Sequence, residues 1–533
     1  MSINVIEKGR ILTPVYVTKQ APCMANCPAG TDVRLFIKLF SEKRFADAYK
    51  TIYKTNPFPS TCGRVCPHFC QQNCNRAALD ECLNIGAIER FVGDYGLKST
   101  IKPHEIKFNE KIAVIGSGPA GLTAALRLRE KGYSTTVYEA LPRAGGMMRV
   151  GIPEFRLPQK ILDEEINMIV KQGVEIILDR KVTIKEIEKD YSVIIVAIGL
   201  PLGRRVNIPN EHLALEGIEF LRDFKMYSNR QNINKGDRVA IIGGGNTAID
   251  VARTVLRLGG KPTNYEMMAR KEMLAITLEL EEAQAEGVKI KYLTAPVKIE
   301  KDESGSLNVI VTKMKLGKPD ETGRRKPVPI KGSEKLIKAD KIITAIGQIN
   351  DDFVFSNQGI RPRQGKIDFP CNVPVFCCGD MTGGGRVTEA VGSGNEVARE
   401  VLAFLSGKPI IKKNKDEDIV SPEDLNYVYY LQTYSNRNPL KKIADLYNDF
   451  SEAVQGLSEE KVVDEAQRCL RCGDCYKCGN CFCRCPEATI YVDEEKCLRI
   501  DYDHCKGCAI CFHECPCSAI KLEFQKGKIE MHG

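Results

Sequence analysis

Two runs of cysteine carry the densest chemical signal in the chain. Cys475, Cys478, Cys481 and Cys485 stand at CxxCxxCxxxCP spacing, and Cys505, Cys508, Cys511 and Cys515 repeat the pattern at an offset of 30 residues. Spacing this short lets three thiolates cap one face of an iron–sulfur cubane, while the fourth cysteine of each run reaches the other cluster. The expected ligand sets are Cys475, Cys478, Cys481 and Cys515 for one [4Fe–4S] cluster, and Cys505, Cys508, Cys511 and Cys485 for the other. A zinc reading fits this pattern poorly. Cys23, Cys27, Cys62, Cys66, Cys70, Cys74 and Cys82 form a second crowd, with little histidine, which suits iron–sulfur clusters better than structural zinc. Most of the 23 cysteines fall in these two regions. That distribution favours metal clusters in a reducing compartment over a disulfide framework.

The second chemical signal is glycine. Lys111 to Glu139 reads as a buried strand, a GSGPAG turn, a helix from Pro119 and a second strand. Gly116 makes the turn, Gly118 lets backbone approach a pyrophosphate, and Gly121 lets the helix pack on the strand. The N-terminus of the helix that Pro119 opens, flanked by Ser117 and Ala120, then faces the phosphates with its free N–H groups, and Glu139 can bond a ribose hydroxyl. Residues 238–266 repeat this unit at a constant offset of 127: Gly116 maps to Gly243, Gly118 to Gly245, Gly121 to Ala248 and Glu139 to Glu266. Two dinucleotides are therefore expected. Gly379 and Asp380 follow a later strand, where an acid can bond a flavin ribityl chain; the adjacent Cys377 and Cys378 read as buried strand residues, lacking CxxC spacing.

The elements that must position these groups divide the 533 residues into several domains. The expected division is a helical iron–sulfur domain over 1–105, FAD-binding segments over 106–235 and 346–408, an NAD(P)-binding domain over 236–345, a linker with docking helices over 409–465, and a two-cluster ferredoxin domain over 466–533. In the first of these, Thr31 or Asp32 can cap a helix with Val33, Phe36, Ile37 and Phe40 on its apolar face, and a second helix carries Phe45, Tyr49 and Ile52. The fold class is thus multidomain α/β: two Rossmann-type domains, an N-terminal helical iron–sulfur domain and a C-terminal α+β ferredoxin domain. The formal charge of +8 does not argue for nucleic acid, because the basic residues are dispersed. Each four-thiolate cluster and FAD would also add roughly −2 apiece. No apolar run is long enough for a membrane span and no signal-peptide core is seen, so a cytoplasmic protein is expected.

With these residues in view, the chain resembles the glutamate synthase small-subunit family of iron–sulfur flavoproteins, which includes the flavin half of dihydropyrimidine dehydrogenase and the large subunit of the NADH-dependent ferredoxin–NADP transhydrogenase. APCxxxCP, TCGRVCP, NIGAIERF, GSGPAG, AGGMMRVGIPEFRLP, GGGNTAID and CCGD carry the resemblance over roughly residues 15–408. It implies FAD contacts at Gly116 to Gly121, Glu139, Gly146, Met147, Arg156, Val182, Gly379, Asp380 and Thr388. It implies nicotinamide dinucleotide contacts at Gly244, Gly245, Asn246, Thr247, Ala345, Ile346 and Gly347. One N-terminal cluster would take Cys27, Cys66, Cys70 and Glu89; taken alone, Glu89 reads as a solvated helix glutamate, and only the resemblance makes it a ligand.

The chain departs from this family twice. The other N-terminal cluster matches only at Cys23 and Cys74, since the CxxC expected upstream of APC is missing. DEAQRCLRC instead stands at 464–472, just before the ferredoxin repeat. Cys469 and Cys472 are therefore expected to fold back and complete the cluster; the alternative is that they are spare, and that Cys62 or Cys82 serves or the cluster is absent. The second departure is Glu266-Met267-Met268, where NADP-using members carry Tyr-Arg-Arg. A carboxylate accepts from a 2′-hydroxyl and repels a phosphate, which favours NAD(H) over NADP(H), although Arg270 and Lys271 lie close by. The expected function is electron passage between NAD(H) and ferredoxin or a redox partner subunit, through FAD and up to four [4Fe–4S] clusters. Hydride transfer would need cofactor alignment and no catalytic side chain. The alternative is an electron-relay subunit of a larger complex without independent turnover. A disulfide reductase is disfavoured because residues 236–345 contain no cysteine.

Overall fold

The computed structural model describes residues 6–7, 10–227, 233–303, 305–321, 323, 325–410, 418–441 and 447–524. Near the N-terminus, Asp32 caps the helix Val33–Ser41, its Oδ1 accepting from the Leu35 N–H at 3.0 Å. Val33, Phe36, Ile37 and Phe40 turn inward as the helical spacing requires, against Tyr49 and Ile52 of the helix Phe45–Tyr53 and Ile88 and Val92 of the helix Ile85–Gly96.

The first dinucleotide unit forms a six-stranded sheet in the order Gly365–Ile367, Val375–Cys377, Val193–Val196, Lys111–Ile115, Ser134–Tyr138, Glu175–Ile177. All neighbours are parallel except the first pair. Residues 365–377 thus lie in this sheet, and the long helix Val387–Ser406 packs on Pro119–Glu130 beside it.

The second unit is a five-stranded parallel sheet built on Arg238–Ile242, Lys261–Tyr265 and Lys341–Thr344. Its boundary differs from the expected 236. Strand Leu215–Glu216 pairs in parallel with Lys341–Thr344, and Phe220 and Leu221 of the helix Gly217–Tyr227 enter this core. A two-residue strand carries no periodicity of its own, so only the pairing reveals where it belongs. An antiparallel sheet (Thr294–Lys301, Leu307–Pro319, Arg325–Pro329, Lys335–Ala339) is inserted before the last strand of this unit.

The two ends of the chain meet. The helix Glu459–Gln467, in the segment expected to be linker and docking helices, lays Val462, Val463 and Ala466 into the core of the N-terminal helices. The Glu465 carboxylate is fully buried there and accepts from the Asn84 N–H (2.8 Å), the Asn436 N–H (2.7 Å), Ser435 Oγ (3.2 Å) and Arg468 Nη1 (2.6 Å). Strand Arg10–Tyr16 pairs antiparallel with Ile520–Phe524, adding an N-terminal strand to the C-terminal domain. Removing one member of a buried, hydrogen-bonded ion pair costs about 3–5 kcal/mol. Glu465→Ala is therefore expected to lower the opening free energy of the helix Glu459–Gln467 by that order, read by native-state hydrogen exchange across residues 459–467, with Glu465→Gln less affected.

Candidate cofactor cavity and thiol clusters

The first glycine motif and the residues that follow the glycines of the second open on one cavity of about 550 Å³. From the first unit it is lined by Gly116 to Ala120, Glu139, Gly146, Met147, Arg156, Val182, Gly379 and Asp380, and from the second by Asn246 and Thr247. The helices Pro119–Glu130 and Asn246–Arg257 start at Gly118 and Gly245 with no side-chain cap, leaving first-turn N–H groups for phosphate oxygens. A Cβ on either glycine would meet nothing within 4 Å, so backbone faces open space where a pyrophosphate would lie. Asp380 Oδ1 is buried without a protein partner, and burial raises its carboxyl to about 6, with nearby Glu389 adding to the effect. An orphaned acceptor facing this cavity suits the hydroxyls of a ribityl chain. Volume, free helix N-termini and orphaned acceptor together fit a bound dinucleotide such as FAD.

Some expected contacts are engaged within the protein or stand outside the wall. Glu139 bonds the Ser117 N–H (3.2 Å) and the Leu141 N–H (2.8 Å) through its two oxygens, closing the turn. Gly121 is buried in the helix–strand packing, and Gly243, Gly244, Gly245, Ala345, Ile346 and Gly347 stand beyond the wall of this cavity. Glu266 follows its strand directly against Gly244, where an added Cβ would meet its carboxylate, and its Oε1 accepts from the Met268 N–H at 2.8 Å. Arg156 lines the cavity, yet its guanidinium is committed to Asp250 Oδ2 at 2.6 Å and to Glu279 Oε1, both from the second unit. It therefore clamps the two units together. Asp250 and Glu279 were not expected; Asp250 is the last letter of GGGNTAID, while nothing in the sequence marks Glu279. Thr388 departs most: it lies outside the cavity wall, with Oγ1 3.3 Å from Cys66 Sγ. It opens a helix that runs between the cavity and the cysteines, and its side chain takes the cysteine side.

Behind Val65, which lines the cavity, the thiols fall into groups. Cys27, Cys66 and Cys70 surround Glu89. Burial raises the Glu89 carboxyl to about 7, against a 3.0 Å bond from Asn56 Nδ2, and burial followed by Glu89 pushes Cys66 up to about 12. A carboxyl and three thiols gathered out of water form a donor set that a bound metal centre would hold in ionised form. Cys62 lies close by but donates to Asn56 Oδ1 at 3.7 Å. Cys23, Cys74, Cys469 and Cys472 are mutual neighbours, and burial with Cys469 and Cys74 pushes Cys472 up to about 12. Arg34 ties this group across the chain, donating to the Lys19 and Cys472 carbonyls at 2.9 and 2.7 Å. Cys82 lies beside Cys74.

In the C-terminal domain, Cys475, Cys478, Cys481 and Cys515 neighbour one another, as do Cys505, Cys508 and Cys511, with Cys485 and Cys505 on one shared wall. Among the described residues, no three of these thiols lie within 4.8 Å of one another. A tetrahedral zinc with Zn–S of about 2.3 Å would draw its sulfurs to about 3.8 Å apart; a cubane with iron at alternate corners stands them wider. The groups also follow one another: Cys70 lies near Cys23, Tyr430 near both Cys472 and Cys517, Cys517 near Cys475 and Cys515, and Cys481 near Cys511.

These features have counterparts in known proteins. Residues 110–394 match the pyridine nucleotide-disulphide oxidoreductase family model, and residues 15–101 match dihydropyrimidine dehydrogenase domain II with its 4Fe-4S cluster. The chain is similar to the NADP(+)-dependent formate dehydrogenase subunit beta of Moorella thermoacetica, at 33% identity over 85% of this chain and 70% of that one. It is 31% identical to the NADPH-Fe(3+) oxidoreductase subunit beta of Geobacter sulfurreducens, over 85% and 75%. It is 34% identical to the NAD-dependent dihydropyrimidine dehydrogenase subunit PreT of Escherichia coli, over 73% and 92%. Among the described residues no helix is long and apolar enough to cross a membrane. The chain belongs to the pyridine nucleotide-disulphide oxidoreductase family, in its branch of iron–sulfur flavoprotein oxidoreductases that carry an N-terminal 4Fe-4S domain.

Proposed function

We propose that this chain passes electrons between NAD(H) and a ferredoxin or another redox subunit, using FAD and four [4Fe–4S] clusters. The observation that carries the reading is continuity. A cavity shared by both dinucleotide motifs has Val65 in its wall, Cys66 behind it, and a succession of thiol groups leading to the exposed Cys478 and Cys508. When bound, the flavin would exchange a hydride with nicotinamide and the clusters would carry single electrons. The chain's own work is to bind and align. The two helix N-termini would hold pyrophosphates, Asp380 would accept from a ribityl chain, and the Arg156 clamp joins the two units. The thiols Cys27, Cys66 and Cys70 with Glu89 would hold the first cluster, and Cys23, Cys74, Cys469 and Cys472 the second. The two interleaved runs would hold the last pair. The similar proteins carry subunit names, which supports work within a larger assembly.

NAD(H) is favoured by Glu266. The named relatives include both NADP- and NAD-dependent proteins, so the choice rests on this residue. Burial raises its carboxyl above the ordinary range, and the Met268 N–H holds it beside the glycine turn. A 2′-hydroxyl could donate there, whereas a 2′-phosphate would meet a buried acid with no arginine of the usual Tyr-Arg-Arg. Stopped-flow reduction is expected to run at least about tenfold faster with NADH than with NADPH at equal concentration, a difference of about 1.4 kcal/mol; faster reduction by NADPH would reverse the assignment. Cys469→Ala with Cys472→Ala is expected to lower the iron content by one cluster and to leave both ferredoxin-type EPR signals. Four clusters remaining in the double variant would remove these thiols from the ligand set.

A further inference from the structure

Strand Arg10–Tyr16 ends on a side chain that the electron-carrying reading does not use. Tyr16 pairs with Ile520 in the antiparallel ladder. It packs against the buried core of the ferredoxin-type domain, which includes Cys481, Cys511 and Ile520. Its hydroxyl oxygen lies 3.2 Å from Cys481 Sγ, a pair separated by 465 residues in sequence, and within electrostatic reach of Cys475 and Cys511. The hydroxyl thus sits at the seam between the two interleaved thiol sets. A sulfur bound to iron has no proton, so in the loaded protein only the tyrosine can donate. A hydrogen bond to a ligand sulfur stabilises the more negative, reduced cluster and raises its potential.

We propose that Tyr16 is a positioning residue for the C-terminal clusters: its hydroxyl donates to Cys481 Sγ and raises the reduction potential of the cluster held by Cys475, Cys478, Cys481 and Cys515. The potential of that cluster is then set by a strand from the opposite end of the chain, and the ferredoxin-type unit is complete only with residues 10–16 in its sheet. The other set has a side-chain donor of its own, Thr489 Oγ1 at 3.3 Å from Cys485 Sγ, which comes from within the domain. Tyr502 provides an internal comparison. It also holds the N-terminal strand, donating to the Pro14 carbonyl at 3.1 Å, but that bond ends on backbone and not on sulfur.

This inference rests on the iron–sulfur reading of the two C-terminal runs, and its test separates the two. The full chain, prepared anaerobically, is assayed for iron and sulfide and then followed by EPR through a redox titration. If the unmodified protein shows no ferredoxin-type pair, the iron–sulfur reading and the role of Tyr16 both fall. With the pair present, Tyr16→Phe keeps the ring and the strand and removes only the hydroxyl. It is expected to shift one of the two midpoints to lower potential, raising the oxidised-to-reduced ratio at fixed poise by up to about tenfold, or about 59 mV for a one-electron couple. Iron content and the other midpoint stay unchanged, and Tyr502→Phe leaves both midpoints in place. Unchanged midpoints in Tyr16→Phe, or an equal shift in Tyr502→Phe, would overturn the proposal, since the second result would trace the effect to strand docking.

Discussion

The contact on which the rest of the molecule depends is the closure of the chain's two ends around buried charge. Glu465 is wholly removed from water and is held by two backbone N–H groups, a hydroxyl and Arg468. Arg468 in turn donates to Asp80 and to the Glu81 and Thr433 carbonyls. A buried carboxylate of this kind is tolerated only where every partner arrives, so the N-terminal helices, the strap at 433–436 and the helix before the ferredoxin repeat must assemble together. The helix that carries Glu465 is followed at once by Cys469 and Cys472, which it delivers to Cys23 and Cys74.

A second buried charge network does comparable work at the cavity. Phe155 and Arg156 project from the first dinucleotide unit into the second. Arg156 meets Asp250 and Glu279, and Phe155 lies 3.7 Å from the Arg257 guanidinium, which pairs with Glu286. Two Rossmann-type units joined by a linker ordinarily move against one another. Here an ion cluster at the cavity's edge holds their spacing, and that spacing decides whether two dinucleotides can meet ring to ring. The oxygens Asp250 Oδ1 and Glu279 Oε2 remain without protein partners, so the clamp also presents acceptors beside the space it holds open.

The thiol groups share one further trait. Polar side chains from distant segments reach cysteine sulfurs: Thr388 at Cys66, Asn75 at Cys472 (3.8 Å) and Tyr16 at Cys481. Each lies on an element whose main role is packing. Hydrogen bonds to ligand sulfurs shift cluster potentials, so contacts that close this fold are placed where they would bear on the centres proposed here.

Much of this molecule could be read from local pattern. The strand–glycine–helix units, their offset of 127 and the two CxxCxxCxxxCP runs are short-range features, because turn geometry and cubane capping demand fixed spacing over a few residues. Residues 365–377 lie in the first sheet, and Cys469 and Cys472 neighbour Cys23 and Cys74; the sequence suggested the second grouping only through a CxxC missing at one end of the chain and present at the other. Contacts between distant elements left no such trace. Glu279 looks like any helix glutamate, Leu215–Glu216 is too short for a period, and Tyr16 lies in a stretch whose only visible property was the cysteine it lacks. Thr388 was expected at the flavin from the resemblance alone, yet its Oγ1 lies 3.3 Å from Cys66 Sγ. The sequence by itself determined which chemistry the chain can support, since that depends on residue type and local spacing. Only the tertiary structure decided which groups face one another, because burial and docking of distant elements follow from packing over the whole chain.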